Sequence, residues 1–202
     1  MFFLSLISLN PELKPGNRII DCFSNHFSFH LFSKSSDYLF KTWIQQLNNI
    51  TIESSNTSLI AFIVIDASVK NNVTSSITHI HVHNKLIVKT LHHTINIIST
   101  EAEFFTIKCG INQALHLQDI FKIIIVTNLI PIAKKIFDLS SHLFQKQAAL
   151  ILNNLRKFFN HYHKNMVKFW ECLSKSKWNL HKYVDIETKS FNLTPLFPVK
   201  NS

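Results

Sequence analysis

Two short, unbroken apolar runs indicate strands that are buried on both faces of a sheet. Residues 59–65 read LIAFIVI and lead into Asp66, and residues 123–126 read IIIV and lead into Thr127 and Asn128. Runs this short and rich in β-branched residues favour strands over helices. Reactive groups of open α/β sheets lie beyond the carboxyl ends of the strands, which makes Asp66 a candidate for chemistry, although it can equally cap an Asx-type turn. We expect the two strands to be adjacent and parallel, with Asp66 and Asn128 in one cluster.

Alternating segments predict an antiparallel hairpin after the first run. Residues 75–82 alternate, with His79, His81 and His83 on one side, and a turn separates them from a second alternating run at residues 86–91. Three histidines on one strand face can bind a metal. We favour the interpretation that these histidines form the half-solvated face of an antiparallel strand, because no carboxylate or cysteine lies near them in the sequence.

Helical periodicity fills most of the remaining chain. A helix is expected to begin at Ser99 or Thr100, and Thr100 with Glu103 has the spacing of a capping box. Residues 165–173 alternate like an edge strand. The other predicted helices lie at residues 38–47, 129–138, 141–161 and 178–189. This order predicts an α/β fold with a mixed five-stranded sheet and helices on both faces.

The pattern also divides the chain. Residues 1–57 are weakly patterned and are interpreted as an N-terminal extension that ends in a polar linker, with a boundary near Asn56. Residues 58–190 form the predicted domain, and residues 191–202 form a C-terminal tail.

Composition narrows the classes of function. Of 202 residues, 21 are Lys or Arg and 12 are Asp or Glu, and the formal charge of +9 favours a polyanionic partner such as nucleic acid. The two glycines, Gly16 and Gly110, are too few for a glycine-rich phosphate loop. Three scattered cysteines suggest neither a zinc site nor a disulfide framework and indicate a reducing compartment. The apolar opening is too short for a membrane span, so we expect an intracellular protein without a membrane partner.

Four phrases in this order resemble the ribonuclease H-like domains of fungal retrotransposon polyproteins. They read IDASVKNN, STEAEFFTIKCGI, IIIVTN and VKFWECLSKSKWNLHKYVD, and the resemblance spans about residues 59–188. It implies a ribonuclease H-like fold and hydrolysis of an RNA strand paired to DNA. It also implies two divalent ions, Mg²⁺ or Mn²⁺, held by four acidic residues, because clustered carboxylates are hard oxygen ligands.

The resemblance assigns the acidic positions one by one. Asp66 matches the first-strand aspartate, and Glu103, directly before the apolar pair, matches the helical glutamate better than Glu101 does. Asn128 stands where the pattern has an aspartate, so the site lacks one of its four formal charges and holds metal weakly. Asp185 is carried over as the fourth ligand, although the loop that usually precedes it in the family is absent. His181, one helical turn earlier, is a possible partner of Asp185.

Three functions remain open on the sequence alone. The first is a metal-dependent RNA–DNA hybrid ribonuclease of retroelement origin whose activity is impaired by Asn128. The second is a non-catalytic nucleic-acid-binding domain on the same fold, whose binding falls steeply with salt. The third is a protein interaction module that uses surplus phenylalanines exposed on its surface. The chain contains 18 phenylalanines in total.

Overall fold

A computed structural model of the protein describes residues 26–30, 37–55, 60–70, 73–83, 85–95, 98–128, 145–161, 164–172 and 178–191. These residues form six strands and four helices. In chain order the elements are β1 Phe27–His30, α1 Asp37–Ser55, β2 Ile60–Lys70, β3 Val73–Val82, β4 Lys85–Ile95, α2 Ser99–Ala114, β5 Lys122–Thr127, α3 Gln145–His161, β6 Met166–Glu171 and α4 Asn179–Phe191.

The strands form one mixed sheet in the order β1-β6-β5-β2-β3-β4. Strand β2 pairs in parallel with β5 and antiparallel with β3, and β3 continues into the hairpin with β4. The two continuous apolar runs are therefore adjacent parallel strands at the centre of the sheet, as their burial on both faces requires. The predicted hairpin is confirmed.

Helices cover both faces, as predicted. One apolar cluster packs the odd-numbered side chains of β2, such as Ile63 and Ile65, against α2 and α3. The other packs even-numbered side chains, such as Phe62 and Val64, against α1 and α4. This alternation follows from the two-residue repeat of a strand, and it fixes which helix can meet Asp66.

The sheet has six strands where five were expected, because the predicted N-terminal extension contributes to it. Strand β1 pairs in parallel with β6, from Phe27 opposite Val167 to His30 opposite Trp170. The expectation that β6 is an edge strand is therefore wrong, since β6 lies between β1 and β5.

Helix α1 extends through Ser55, which replaces much of the predicted polar linker. It lies on the sheet, with Leu47 fully buried and the Trp43 indole N–H donating to the Glu171 carbonyl at 2.8 Å. The boundary near Asn56 and the helix expected at residues 129–138 lie outside the described residues. So does the predicted tail at residues 191–202, apart from Phe191, which ends α4. Among the helices that are described, none is both long and apolar enough to span a membrane.

Candidate active site

Asp66 lies just beyond the point where β2 stops pairing with β5, in a part of β2 that still pairs with β3. The parallel pairing with β5 ends at Val64 opposite Val126, whereas the antiparallel pairing with β3 continues past Asp66 to Lys70. Asp66 is thus a strand residue opposite Ile77, and the expectation that it ends the strand or caps a turn is wrong. Its side chain falls on the face that carries α4, and only 4% of the residue is exposed.

Asn128 follows β5 directly. The last pair of the parallel strands is Val64 opposite Val126, so Asp66 and Asn128 each lie two residues beyond it, at the same end of the two strands. The Oδ1 atom of Asn128 is buried and has no hydrogen-bond partner among the described residues. An unpaired buried amide oxygen is costly, which makes this atom a candidate ligand.

Glu103 reaches the same region from the first turns of α2. The residue is 1% exposed, and its Oε2 atom has no hydrogen-bond partner in the described part of the chain. The predicted capping box is wrong, because α2 begins at Ser99 with Ile98 at the N-cap position and no side-chain cap. Glu101 lies apart from the cluster and accepts a hydrogen bond from the Gln147 amide at 3.2 Å.

The two buried carboxyl groups hold their protons unusually tightly. Burial, and then the charge of Asp66, raise the pKa of Glu103 to about 8, against a hydrogen bond with the Ala67 backbone. Burial, and then the charge of Asp185, raise the pKa of Asp66 to about 7. Both shifts mean that neighbouring groups do not fully compensate the charged forms, a condition that a bound metal ion would relieve.

Asp185 lies on α4, near Asp66, and forms a salt bridge with a lysine of the same helix. Its charge acts on Asp66, and its carboxylate pairs with Lys189, one helical turn later, at 2.7 Å. His181 is buried, and burial lowers its pKa although the charge of Asp185 opposes this. The His181 Nε2 atom has no hydrogen-bond partner among the described residues, so Lys189 rather than this nitrogen neutralises Asp185.

Two residues near Asp66 were not identified from the sequence. Lys189 lowers the pKa of Asp66, and so does a hydrogen bond from the Thr188 side chain. The Thr188 hydroxyl is also 2.7 Å from the Val184 carbonyl, and its single proton can serve only one of these acceptors at a time. The spacing of Asp185 and Lys189 by four residues on a helix is the signal that could have revealed the ion pair.

The histidine row is a separate and largely buried feature. His79 and His81 lie under α4, whereas His83 lies in the turn with a positive φ of 51° and is exposed. The prediction that these histidines form a half-solvated face is therefore wrong. The missing carboxylate comes from α4, since Glu187 accepts from His79 Nε2 at 2.9 Å and from Lys89 at 2.8 Å. These contacts hold α4 against β3 and β4. Glu187 is two residues after Asp185 on the same helix.

The acidic end of the sheet offers few charged oxygen ligands. Asp66 and Glu103 are buried and electrostatically coupled, and the Oδ1 atom of Asn128 is buried without a hydrogen-bond partner among the described residues. In the ranges that the structure describes, no three His, Cys, Asp or Glu side chains are grouped so that they could hold a metal ion. Asp66, Glu103 and Asp185 are therefore not grouped as three ligands of one ion.

Comparison with known proteins agrees on the fold. No protein-family model matches the sequence, and no curated protein matches it. The N-terminal RNase H domain of a Mycobacterium tuberculosis protein, solved as a fusion with maltose-binding protein, is similar to this chain with a TM-score of 0.52 and 8% identity, over 67% of this chain and 96% of that one. RNase H1 from the archaeon Halobacterium salinarum matches with a TM-score of 0.49 and 7% identity, over 65% and 98%. The chain has a ribonuclease H-like α/β fold.

Proposed function

We propose that this chain binds RNA–DNA hybrid through contacts of its lysine and arginine side chains with phosphates, and that it carries a ribonuclease H-type acidic centre, formed by Asp66, Glu103, Asn128 and Asp185, whose metal-dependent cleavage is weak. The observation that supports the proposal is the electrostatic coupling of Asp66 on β2 to Glu103 on α2 and to Asp185 on α4. Asn128 is included because it follows β5, the parallel neighbour of β2. The ribonuclease H-like fold and the net charge of +9 agree with a nucleic-acid partner. The four sequence phrases support an origin in a retroelement polyprotein.

The residues present can hold Mg²⁺ or Mn²⁺ through the oxygens of Asp66, Glu103 and Asn128. When bound, such an ion supplies positive charge for a phosphate and lowers the pKa of water. The fold supports this assignment, since Asp66 and Asn128 each lie two residues beyond the last pair of β2 and β5, and Glu103 on α2 is electrostatically coupled to Asp66. Burial of Asp66 and Glu103 keeps competing water away from these oxygens.

Two features predict slow cleavage. Asn128 removes one formal negative charge, which loosens any divalent ion at the site. Lys189 already neutralises Asp185 at 2.7 Å, so the fourth ligand has to exchange an ammonium group for an ion. This second observation favours the alternative function, a nucleic-acid-binding domain that does not cut.

The test is cleavage of a labelled RNA–DNA duplex by the parent chain and by Asn128→Asp at matched salt. The substitution restores the missing charge and should raise the Mg²⁺-dependent rate on the order of a hundredfold. Adding Asp66→Asn to the restored chain should abolish that gain while hybrid binding remains, because phosphate contacts dominate affinity. Brisk cleavage by the parent chain would show that Asn128 is not limiting.

A matched pair of lysine variants separates the two candidates. In the Asn128→Asp background, Lys189→Ala should lower the Mg²⁺ concentration needed for half-maximal rate, whereas Lys182→Ala, an exposed lysine on the same helix, should leave it unchanged. If Asn128→Asp binds hybrid and stays inert with either lysine variant, the non-catalytic function is the correct one.

A further inference from the structure

A large cleft lies at the end of the sheet opposite the acidic cluster. Its volume is about 990 Å³, and it is lined by the C-terminal turns of α2 and α3 and by the residues that lead into β5 and β6. Phe121 immediately precedes β5 and Asn128 immediately follows it, so the six-residue length of β5 separates the cleft from the acidic cluster by about 20 Å. The two regions can therefore bind ligands independently.

The walls of the cleft are fixed by hydrogen bonds within the fold. After α2, the backbone N–H groups of Leu115, His116 and Leu117 donate to the last carbonyls of the helix at 3.0 to 3.1 Å. On the other side, the side-chain amide of Asn165 donates to the Phe158 carbonyl, and Asn165 is only 1% exposed. Because these bonds use helix-end carbonyls, the helix ends that line the cleft carry less unpaired negative charge.

The lining combines an apolar floor with a cationic mouth. Leu115, Phe121 and Phe158 supply apolar and aromatic surface, and Phe158 is buried. The exposed residues Lys157 and Lys164 also line the cleft, against a single lining carboxylate at Asp119. Amides from Asn112, Gln118 and Asn154 can donate and accept hydrogen bonds.

We propose that this cleft is a binding site for a small organic anion with an aromatic body. The volume of about 990 Å³ is at the upper end of the usual range for small-molecule sites, about 300 to 1,000 Å³, and accommodates a molecule of nucleotide size. The apolar floor binds the aromatic body, the amides orient it, and the two lysines bind its negative group. This site acts apart from the proposed acidic centre and does not depend on it.

The test uses 8-anilinonaphthalene-1-sulfonate, an aromatic sulfonate whose fluorescence rises on binding, with the full chain at neutral pH. We expect saturable binding with one equivalent per chain. The double variant Lys157→Ala with Lys164→Ala should weaken it about tenfold, the sum of two exposed charge contacts. The matched double variant Lys146→Ala with Lys182→Ala removes two exposed lysines outside the cleft and should bind as the parent does.

A space-filling variant makes the test independent of charge. Asn154 is a half-buried lining residue of α3, and Asn154→Trp places an indole in the cleft and should abolish binding. Circular dichroism and the unfolding midpoint verify that each variant is folded. Non-saturable binding by the parent, or equal affinity for the parent and all folded cleft variants, would overturn the proposal. Hybrid binding and cleavage should be unaffected by these variants, so the outcome is separate from that of the acidic centre.

Discussion

Replacing Glu103 by Gln should remove a loss of stability that the parent chain suffers above neutral pH. The pKa of Glu103 is raised from 4.5 to about 8, mainly by burial. An acid with a raised pKa in the folded state keeps its proton when the unfolded chain has already released it. The folded state then binds more protons, and the free energy of unfolding falls as pH rises from 4.5 through 8.

The window between pH 6.5 and pH 8 isolates this effect. Burial lowers the pKa of His81 from 6.5 to about 4 and also lowers the pKa values of His79 and His181. Below pH 6.5 these histidines make the free energy of unfolding rise with pH, which opposes the fall caused by the acids. Above pH 6.5 they are neutral in both the folded and the unfolded state. Asp66, with a pKa of about 7, adds a smaller loss of stability at the lower end of this window. At 1.36 kcal/mol per pH unit, the parent should lose about 2 kcal/mol between pH 6.5 and pH 8.

Urea unfolding at half-unit steps across this window is the assay. The parent should show the fall of about 2 kcal/mol, and Glu103→Gln should be nearly flat and more stable than the parent at pH 8. Glu101→Gln changes a half-buried glutamate of the same helix that accepts from Gln147, and it should keep the slope of the parent. Parallel curves for the parent and Glu103→Gln would refute the argument that Glu103 is a protonated, uncompensated acid.

Three further outcomes are expected. Millimolar Mg²⁺ at pH 8 should raise the unfolding midpoint of the parent more than that of Glu103→Gln, because a bound cation relieves the buried charge; equal shifts in calorimetry would count against a metal at this cluster. Gly110→Ala should cost about 1 to 3 kcal/mol in urea unfolding, because its Cβ would lie 2.8 Å from Ile63 Cγ2, whereas Asn112→Ala, exposed on the same helix, should cost little. His81→Leu should reduce the stability lost as pH falls from 6.5 towards 4, because Leu has no proton to gain; an unchanged acid unfolding midpoint would contradict this.

The central sheet was predictable because its signals are local. The apolar runs of β2 and β5, the alternation of β3 and β4 and the start of α2 at Ser99 all lie within short windows of sequence. The same runs correctly predicted that β2 and β5 are adjacent and parallel. That Asp66 and Asn128 form one cluster stays a prediction. The roles of these residues in catalysis stay predictions.

The features that sequence reasoning missed depend on contacts between distant segments. Strand β1 has four residues, too few for an alternating pattern to stand out, and its neighbour is β6. Because the segment that contains β1 was assigned to an extension, β6 was predicted to be an edge strand. His79 was expected to be half-solvated because Glu187, its partner, lies 108 residues further along the chain.

The pairing of β1 with β6 also bears on the order in which the chain folds. Phe27 and Val167 are about 140 residues apart in sequence, whereas β2 and β3 are joined by two residues. Closing so long a loop costs several times the entropy of a hairpin, and only four residue pairs repay it. We therefore expect β1 to dock late, after the central strands have assembled. Since β1 precedes β6 in the chain by about 140 residues, it is synthesised well before its partner, and in the native protein its amides should exchange with solvent sooner than those of β2 and β5.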